Sequence, residues 1–324
     1  MARDSTRVKT WVAGARPRTL PAAVVPVLIG AAVASRSDPS VAVLAFNGAL
    51  ALVVSLALQV AVNYANDYSD GVRGTDAQRR GPQRLVASCA ATASAVKRAA
   101  FVAFGVAGGA GSLLAARTTW WLLAVCSVSM VAGLTYTGGP RQYGYAGFGE
   151  VFVFVFFGLV ATAGTAFVIT REITRLSAVS GALAGFLATA LLVVNNIRDI
   201  EGDRAASKRT LAVRVGDAGA RRLYVACYAG SAASIVAAAL DEPLALVGLV
   251  GLLVAAPAIS TVRRATTTAE LVAALGMTAR VQLVVGVSYS LGLVIGLRPQ
   301  RRTTRSRRRL RRVAATARCA RNPR

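Results

Sequence analysis

The residues best equipped for chemistry lie in two short polar clusters, each at the end of a strongly apolar stretch. The first is Asn63-Tyr64-Ala65-Asn66-Asp67-Tyr68-Ser69-Asp70, and the second is Asn195-Asn196-Ile197-Arg198-Asp199-Ile200-Glu201-Gly202-Asp203. On helical spacing, Asn63, Asn66, Asp67 and Asp70 share one face, and Asn195, Asn196, Asp199 and Asp203 repeat that geometry. Carboxylate and amide oxygens in this pattern are hard donors suited to divalent cations held against a diphosphate. The plainer alternative is helix-end charge dissolved in headgroup water, and the pairing of two matching clusters weighs against it. The chain contains no histidine, and Cys89, Cys126, Cys227 and Cys319 form no CxxC pair. Cys/His zinc sites and Ser-His or Cys-His nucleophiles are thereby excluded. Any chemistry must run on carboxylates, amides, hydroxyls and cations.

The elements that must position these residues are membrane helices. The chain is 55% hydrophobic and only 16% charged. Apolar stretches recur at about 20–35, 41–65, 96–116, 119–136, 147–169, 176–197, 219–240, 243–260 and 276–296, most of them long enough to cross a hydrocarbon core of about 30 Å. The expected fold is therefore an all-α polytopic membrane protein with nine transmembrane helices, the first a retained span. The basic residues predict its orientation: the four short loops after the odd-numbered stretches carry only Arg36, Arg117, Arg171 and Arg175. The N-terminus and the other loops carry most of the rest, which places them in the cytoplasm. Both polar clusters end even-numbered stretches, so they share the cytoplasmic side. Their spacing, four helices apart, hints at an old internal duplication.

The net charge of +24 resembles a nucleic-acid signature. Half of it, however, comes from residues 298–324, which hold twelve Arg and no acid. With nine spans and a cytoplasmic N-terminus this tail falls on the outer side, against the positive-inside preference. It is expected to be a disordered extension touching anionic headgroups, a segment without a role, or the sign of a helix count that is off by one. No nucleic-acid partner is expected. Acidic residues near both halves of a pseudo-repeat leave a cation-coupled transporter open. Few ionisable residues lie mid-span, which favours an enzyme working at the membrane face.

Asn66-Asp67-Tyr68-Ser69-Asp70, continuing to Gly74-Thr75-Asp76, resembles the first aspartate-rich motif of the UbiA superfamily of intramembrane aromatic prenyltransferases, and Asp199-Ile200-Glu201-Gly202-Asp203 resembles its second. Three further stretches are similar to the branch that prenylates 1,4-dihydroxy-2-naphthoate in menaquinone synthesis. They are Ala15-Arg16-Pro17-Arg18-Thr19-Leu20-Pro21, then Tyr136-Thr137-Gly138-Gly139-Pro140 with Tyr143-Gly144-Tyr145 and Gly149-Glu150, then Asn195-Asn196-Ile197-Arg198-Asp199 leading to Lys208-Arg209-Thr210-Leu211-Ala212-Val213-Arg214.

The resemblance implies nine helices around a central cavity over residues 1–297, with a cytoplasm-facing active site in the cell membrane. It implies Mg2+ held by Asn66, Asp67, Asp70, Asp199 and Asp203, the four aspartates being the catalytic set. The substrates it implies are a polyprenyl diphosphate and 1,4-dihydroxy-2-naphthoate, the products demethylmenaquinone, CO2 and diphosphate. Another aromatic acceptor remains the nearest alternative. In that setting Arg73, Arg141, Arg198 and Lys208 are candidate donors to diphosphate oxygens, or else loop charges that set topology. Asn63, Asn195, Asn196 and Asp76 join the substrate-binding candidates, with Tyr68 and Tyr136 at helix ends and Glu150 as an acid or orienting residue. Phe152, Phe154, Phe156 and Phe157 line a greasy tunnel for the tail or face lipid.

Overall fold

A computed structural model describes residues 2–75 and 84–296, with side chains from residue 8 onward. Among the described residues there is no strand. The order is α1 (Ala2–Gly14), a 3-10 turn at Pro17–Thr19, α2 (Pro21–Ser35), α3 (Val41–Val72), α4 (Ala93–Arg117) and α5 (Leu122–Thr135). Then α6 (Gly149–Val153) runs through a π-helical segment, Phe154–Val160, into α7 (Ala161–Thr170). After it come α8 (Arg175–Ala205), α9 (Leu211–Ala239), a 3-10 turn at Pro243–Leu246, α10 (Val247–Leu252), α11 (Ala255–Arg264) and α12 (Thr268–Ile295).

Every expected apolar stretch contains a helix. Among the described residues, six are long and apolar enough to cross a membrane alone, and eight if each bent pair is one span. The bent pairs are Val8–Thr19 with Pro21–Ser35, at 53°, and Pro243–Leu252 with Ala255–Arg264, at 43°. The fourth stretch holds α5, whose 14 residues cover only about 21 Å at 1.5 Å per residue. The fold is thus all-α and multi-pass, and the ninth crossing depends on this short helix.

Local sequence sets the helix starts. The side chains of Ser40, Thr92 and Thr210 accept the N–H three residues on, at the first turns of α3, α4 and α9. Thr174 with Ser177, and Thr267 with Glu270, form full capping boxes. The main core joins α2, α8, α9 and α12 through Val25, Ile29, Leu183, Tyr224, Ile235 and Leu293. Outward-facing Phe101, Val102, Trp120 and Leu253 are exposed, which suits a surface solvated by lipid. Where the π-helical segment crosses α8, a Cβ on Gly158 would lie 2.4 Å from the Gly185 Cα. Only small residues permit such an approach of two membrane helices.

The end opposite the polar clusters is closed by the four arginines singled out from the loops. Arg36 pairs with Glu242 at 2.6 Å and donates to the Leu293 carbonyl, and Arg175 pairs with Asp241 at 2.5 Å. Arg171 donates to the Arg117 and Thr118 carbonyls at the end of α4, while Arg117 reaches Asn47 on α3. Arg36 and Arg171 thereby satisfy helix C-terminal carbonyls where the backbone ladder runs out.

Candidate active site

Neither α3 nor α8 stops where its polar cluster begins. Each continues as one rod, of 32 and 31 residues respectively, so the helical spacing read from the sequence persists to the last carboxylate. A cavity of about 310 Å³ opens between them. Asn63, Asn66 and Asp70 of α3 and Asn195, Asn196, Asp199 and Asp203 of α8 line it together. Along α3 the lining runs from Asp70 to Ala51, about 28 Å of helix. Below the carboxylates it turns apolar, with Leu58, Val62, Leu191, Phe156 and Val160. The result is a greasy slot with a charged mouth.

At that mouth, one cation bridges the two clusters. Asp70 is 3% exposed. Lys208 Nζ lies 3.4 Å from its Oδ1 and 4.0 Å from Asp203 Oδ1, and sits 4.6 Å from the centre of the Tyr145 ring. Arg84 approaches the other Asp70 oxygen at 3.6 Å. The Tyr145 hydroxyl donates to Asp70 Oδ1 at 2.5 Å. Burial and the adjacent carboxylate push this phenol above its ordinary range, so it remains a donor. Thr137 donates to Asn66 Oδ1 at 2.7 Å, and Thr210 to Asp203 Oδ2 at 3.4 Å.

Other expected site residues are used differently. Asp67 is buried, yet both its oxygens accept backbone N–H groups, from Leu85 at 2.8 Å and Val86 at 3.0 Å. It fastens the loop that carries Arg84 and does not line the cavity. Arg73 donates to the Thr137 and Gly139 carbonyls, clamping the loop after α5. Arg198 forms a two-point pair with Asp199, at 2.8 and 2.7 Å, so one cavity carboxylate carries its own counter-charge. Tyr68 packs against the cluster of Tyr64, Leu85, Val96 and Ala100 with Lys97 over its ring, and Arg141 is exposed. Tyr136 lines the cavity. Asn63 lines it too, while donating to the Ala15 carbonyl and to Thr19. Glu150 lies just behind the wall, its Oε1 accepting from Asn196 Nδ2 at 2.9 Å. Of the phenylalanines, Phe152, Phe156 and Phe157 line the slot, whereas Phe154 packs on Phe186. Asp76 and the tail 298–324 lie outside the described residues.

Arg16, Arg84, Thr137, Tyr143 and Tyr145 reach the cavity without having been singled out as site residues. Arg16, Tyr143 and Tyr145 stand inside stretches that carried the family resemblance, which was their one signal. Arg84 stands in the stretch Gly81-Pro82-Gln83-Arg84-Leu85-Val86-Ala87-Ser88-Cys89, which also resembles a cytoplasmic loop of the family, and spacing there says nothing about what a side chain meets.

Among the described residues, no three His, Cys, Asp or Glu side chains converge to cage a metal. Asn66, Asp70, Asp199 and Asp203 instead offer hard oxygens from two sides of one opening. That donor set fits Mg2+, which takes one or two protein carboxylates and completes its shell with phosphate oxygens and water.

The model of the UbiA prenyltransferase family matches residues 23–279. The 1,4-dihydroxy-2-naphthoate octaprenyltransferase of Mycobacterium tuberculosis is 42% identical over 286 residues, covering 88% of this chain and 97% of that protein. The protein of the same name from Escherichia coli is 36% identical, covering 70% and 75%. Among solved structures, a UbiA homolog from Aeropyrum pernix K1 superimposes with a TM-score of 0.61 at 17% identity, covering 85% of this chain and 98% of that one. A UbiA homolog from Archaeoglobus fulgidus bound to GPP and Mg2+ gives 0.56 at 12% identity, covering 88% and 99%. Motifs, helical slot and family match agree, and the chain belongs to the UbiA prenyltransferase family.

Proposed function

We propose that this protein transfers a polyprenyl group from polyprenyl diphosphate to 1,4-dihydroxy-2-naphthoate, releasing diphosphate and CO2 and forming demethylmenaquinol, the hydroquinone of demethylmenaquinone. The observation that carries the reading is the pair of facing acidic clusters at the mouth of a long apolar slot. The names of the relatives from M. tuberculosis and E. coli support the acceptor. The bias of basic residues toward the cluster-bearing side supports an active site facing the cytoplasm.

In the reaction, the C–O bond to diphosphate breaks and its electron pair leaves with the diphosphate. A ring carbon of the acceptor supplies the pair for the new C–C bond. The bond to the ring carboxylate then breaks, its pair restores the aromatic ring, and CO2 departs. The apolar wall binds the isoprenoid chain and keeps water from the electron-poor allylic carbon. Lys208 and Arg84, both within 3.6 Å of Asp70, stand where the leaving charge gathers and can donate to diphosphate oxygens. Tyr145 holds Asp70 in place. Mg2+ bound by Asn66, Asp70, Asp199 and Asp203 would neutralise the departing diphosphate.

The test supplies membranes containing the protein with Mg2+, a polyprenyl diphosphate and a panel of aromatic acids. The expected result is a decarboxylated prenylated product from dihydroxynaphthoate and none in excess chelator. Product from 4-hydroxybenzoate or homogentisate alone would move the assignment to another acceptor. Cation flux without any product would favour a transporter.

A further inference from the structure

The slot has one wall that an isoprenoid chain does not require. Along α6 and α7 the lining changes with depth, from Phe152, Phe156 and Phe157 near the mouth to Val160, Gly164 and Val168 below. The aromatic part is a built stack. Tyr143 and Phe152 lie face to face at 3.8 Å and 21°, and Phe156 continues the series at 5.9 Å and 28°. Tyr136 meets Tyr143 edge-on at 5.4 Å. Flexible aliphatic chains gain area from any apolar wall, whereas planar rings gain extra from offset and edge contacts with other rings.

The second observation is Asn196. It precedes Asp199 by three residues on α8, which puts it about 4.5 Å deeper along the helix axis. Its amide is oriented, because Nδ2 donates to Glu150 Oε1 at 2.9 Å. The Asn196 carbonyl oxygen is thereby committed away from Glu150, and the residue lines the slot. Glu150 Oε2 is buried and has no hydrogen-bond partner among the described residues. An arrangement that leaves a buried carboxylate oxygen unmatched costs stability, and packing alone gives no reason for it.

We propose that the aromatic acceptor docks one helical turn below the carboxylates, its rings against the Tyr143–Phe152–Phe156 stack. One ring hydroxyl donates to the Asn196 carbonyl oxygen, which Glu150 orients. The inference rests on the function proposed above and deepens it by naming the acceptor's subsite. The position matches the chemistry, since the attacking ring carbon must come within about 3–3.5 Å of the allylic carbon next to the diphosphate. Glu150 is a positioning residue that acts through Asn196.

Steady-state kinetics on the full-length protein, varying each substrate in turn, tests the proposal. Asn196→Ala and Glu150→Leu should each raise KM for dihydroxynaphthoate about tenfold, the worth of one hydrogen bond at a partly buried site. Their double variant should be no worse than either, because the two act as a unit. Glu150→Gln should recover most of the loss, since its Oε1 still accepts from Asn196. KM for the prenyl diphosphate should stay within about twofold in all of them. Naphthalene-2-carboxylate, which lacks the hydroxyls, should inhibit the wild type and Asn196→Ala equally, but Phe152→Leu more weakly. If KM for the prenyl diphosphate rises instead, these residues hold the donor and the subsite is wrong. Unchanged acceptor KM in both Asn196→Ala and Phe152→Leu overturns it as well. A wild-type protein that makes no product from dihydroxynaphthoate refutes the proposed function itself, and the named occupant with it.

Discussion

Asp67→Asn separates a carboxylate that fastens a loop from carboxylates that face the slot. Asp67 accepts two backbone N–H groups, one on each oxygen, from Leu85 and Val86. Asparagine can accept only one of them and must turn an NH2 toward the other. The change removes a charge-assisted bond, about 1.5–3 kcal/mol, and leaves an N–H facing an N–H, about 1–3 kcal/mol more. Opening the loop to water limits the total, so a cost of about 3 kcal/mol is expected, just over 100-fold in the open population at 1.4 kcal/mol per tenfold. Amide hydrogen exchange in nanodiscs reads this directly. Exchange at Leu85 and Val86 should accelerate by about two orders of magnitude in Asp67→Asn. Asp70→Asn leaves both N–H bonds in place and should change those amides far less. Turnover should fall in Asp67→Asn because Arg84 is carried away from Asp70. If Leu85 and Val86 stay protected while Asp67→Asn abolishes activity, Asp67 touches substrate or metal and the division of labour is wrong.

Asp70→Asn and Asp199→Asn should each lower turnover by orders of magnitude with the protein still inserted, and the double variant should be little worse than either single one; multiplicative losses would mean that the clusters do not serve one diphosphate. Lys208→Met removes the cation 3.4 Å from Asp70, an interaction of about 5 kcal/mol at an effective dielectric constant of 20, of which Arg84 retains a share. The variant should melt lower than the wild type in chelator and regain most of the difference in Mg2+, and an equal deficit in both buffers would contradict the bridging role. Deleting residues 300–324 should leave the rate per folded molecule unchanged, and Cys319 should react with a membrane-impermeant thiol reagent in intact cells. Protection of Cys319 together with loss of activity on truncation would reverse the expected topology of the tail.

Much of the fold was legible because apolar length is a strong signal in lipid. The stretches 41–65 and 176–197 mark the bodies of α3 and α8. What could not be read was where those helices end: Asn66 to Asp70 and Asp199 to Asp203 lie inside continuing helix, since intrahelical bonds persist once a polar face has partners. The break near Leu253, inside the expected stretch 243–260, was also hidden, because composition stays apolar across that bend. Spacing correctly placed Asn63, Asn66 and Asp70 toward one opening. It could not tell that Asp67, on the flank of the same face, meets Leu85 and Val86. Contacts such as Arg84 with Asp70 and Tyr145 with Asp70 join residues far apart in the chain, and no local pattern encodes them.

The central claim is most directly tested by following the acceptor's carboxyl carbon. Purified protein in lipid, given carboxyl-labelled 1,4-dihydroxy-2-naphthoate and a polyprenyl diphosphate, should release one labelled CO2 for each prenylated product. Both should cease in chelator and resume with Mg2+. Prenylated product that keeps the label, or CO2 release independent of the prenyl diphosphate, would contradict the account.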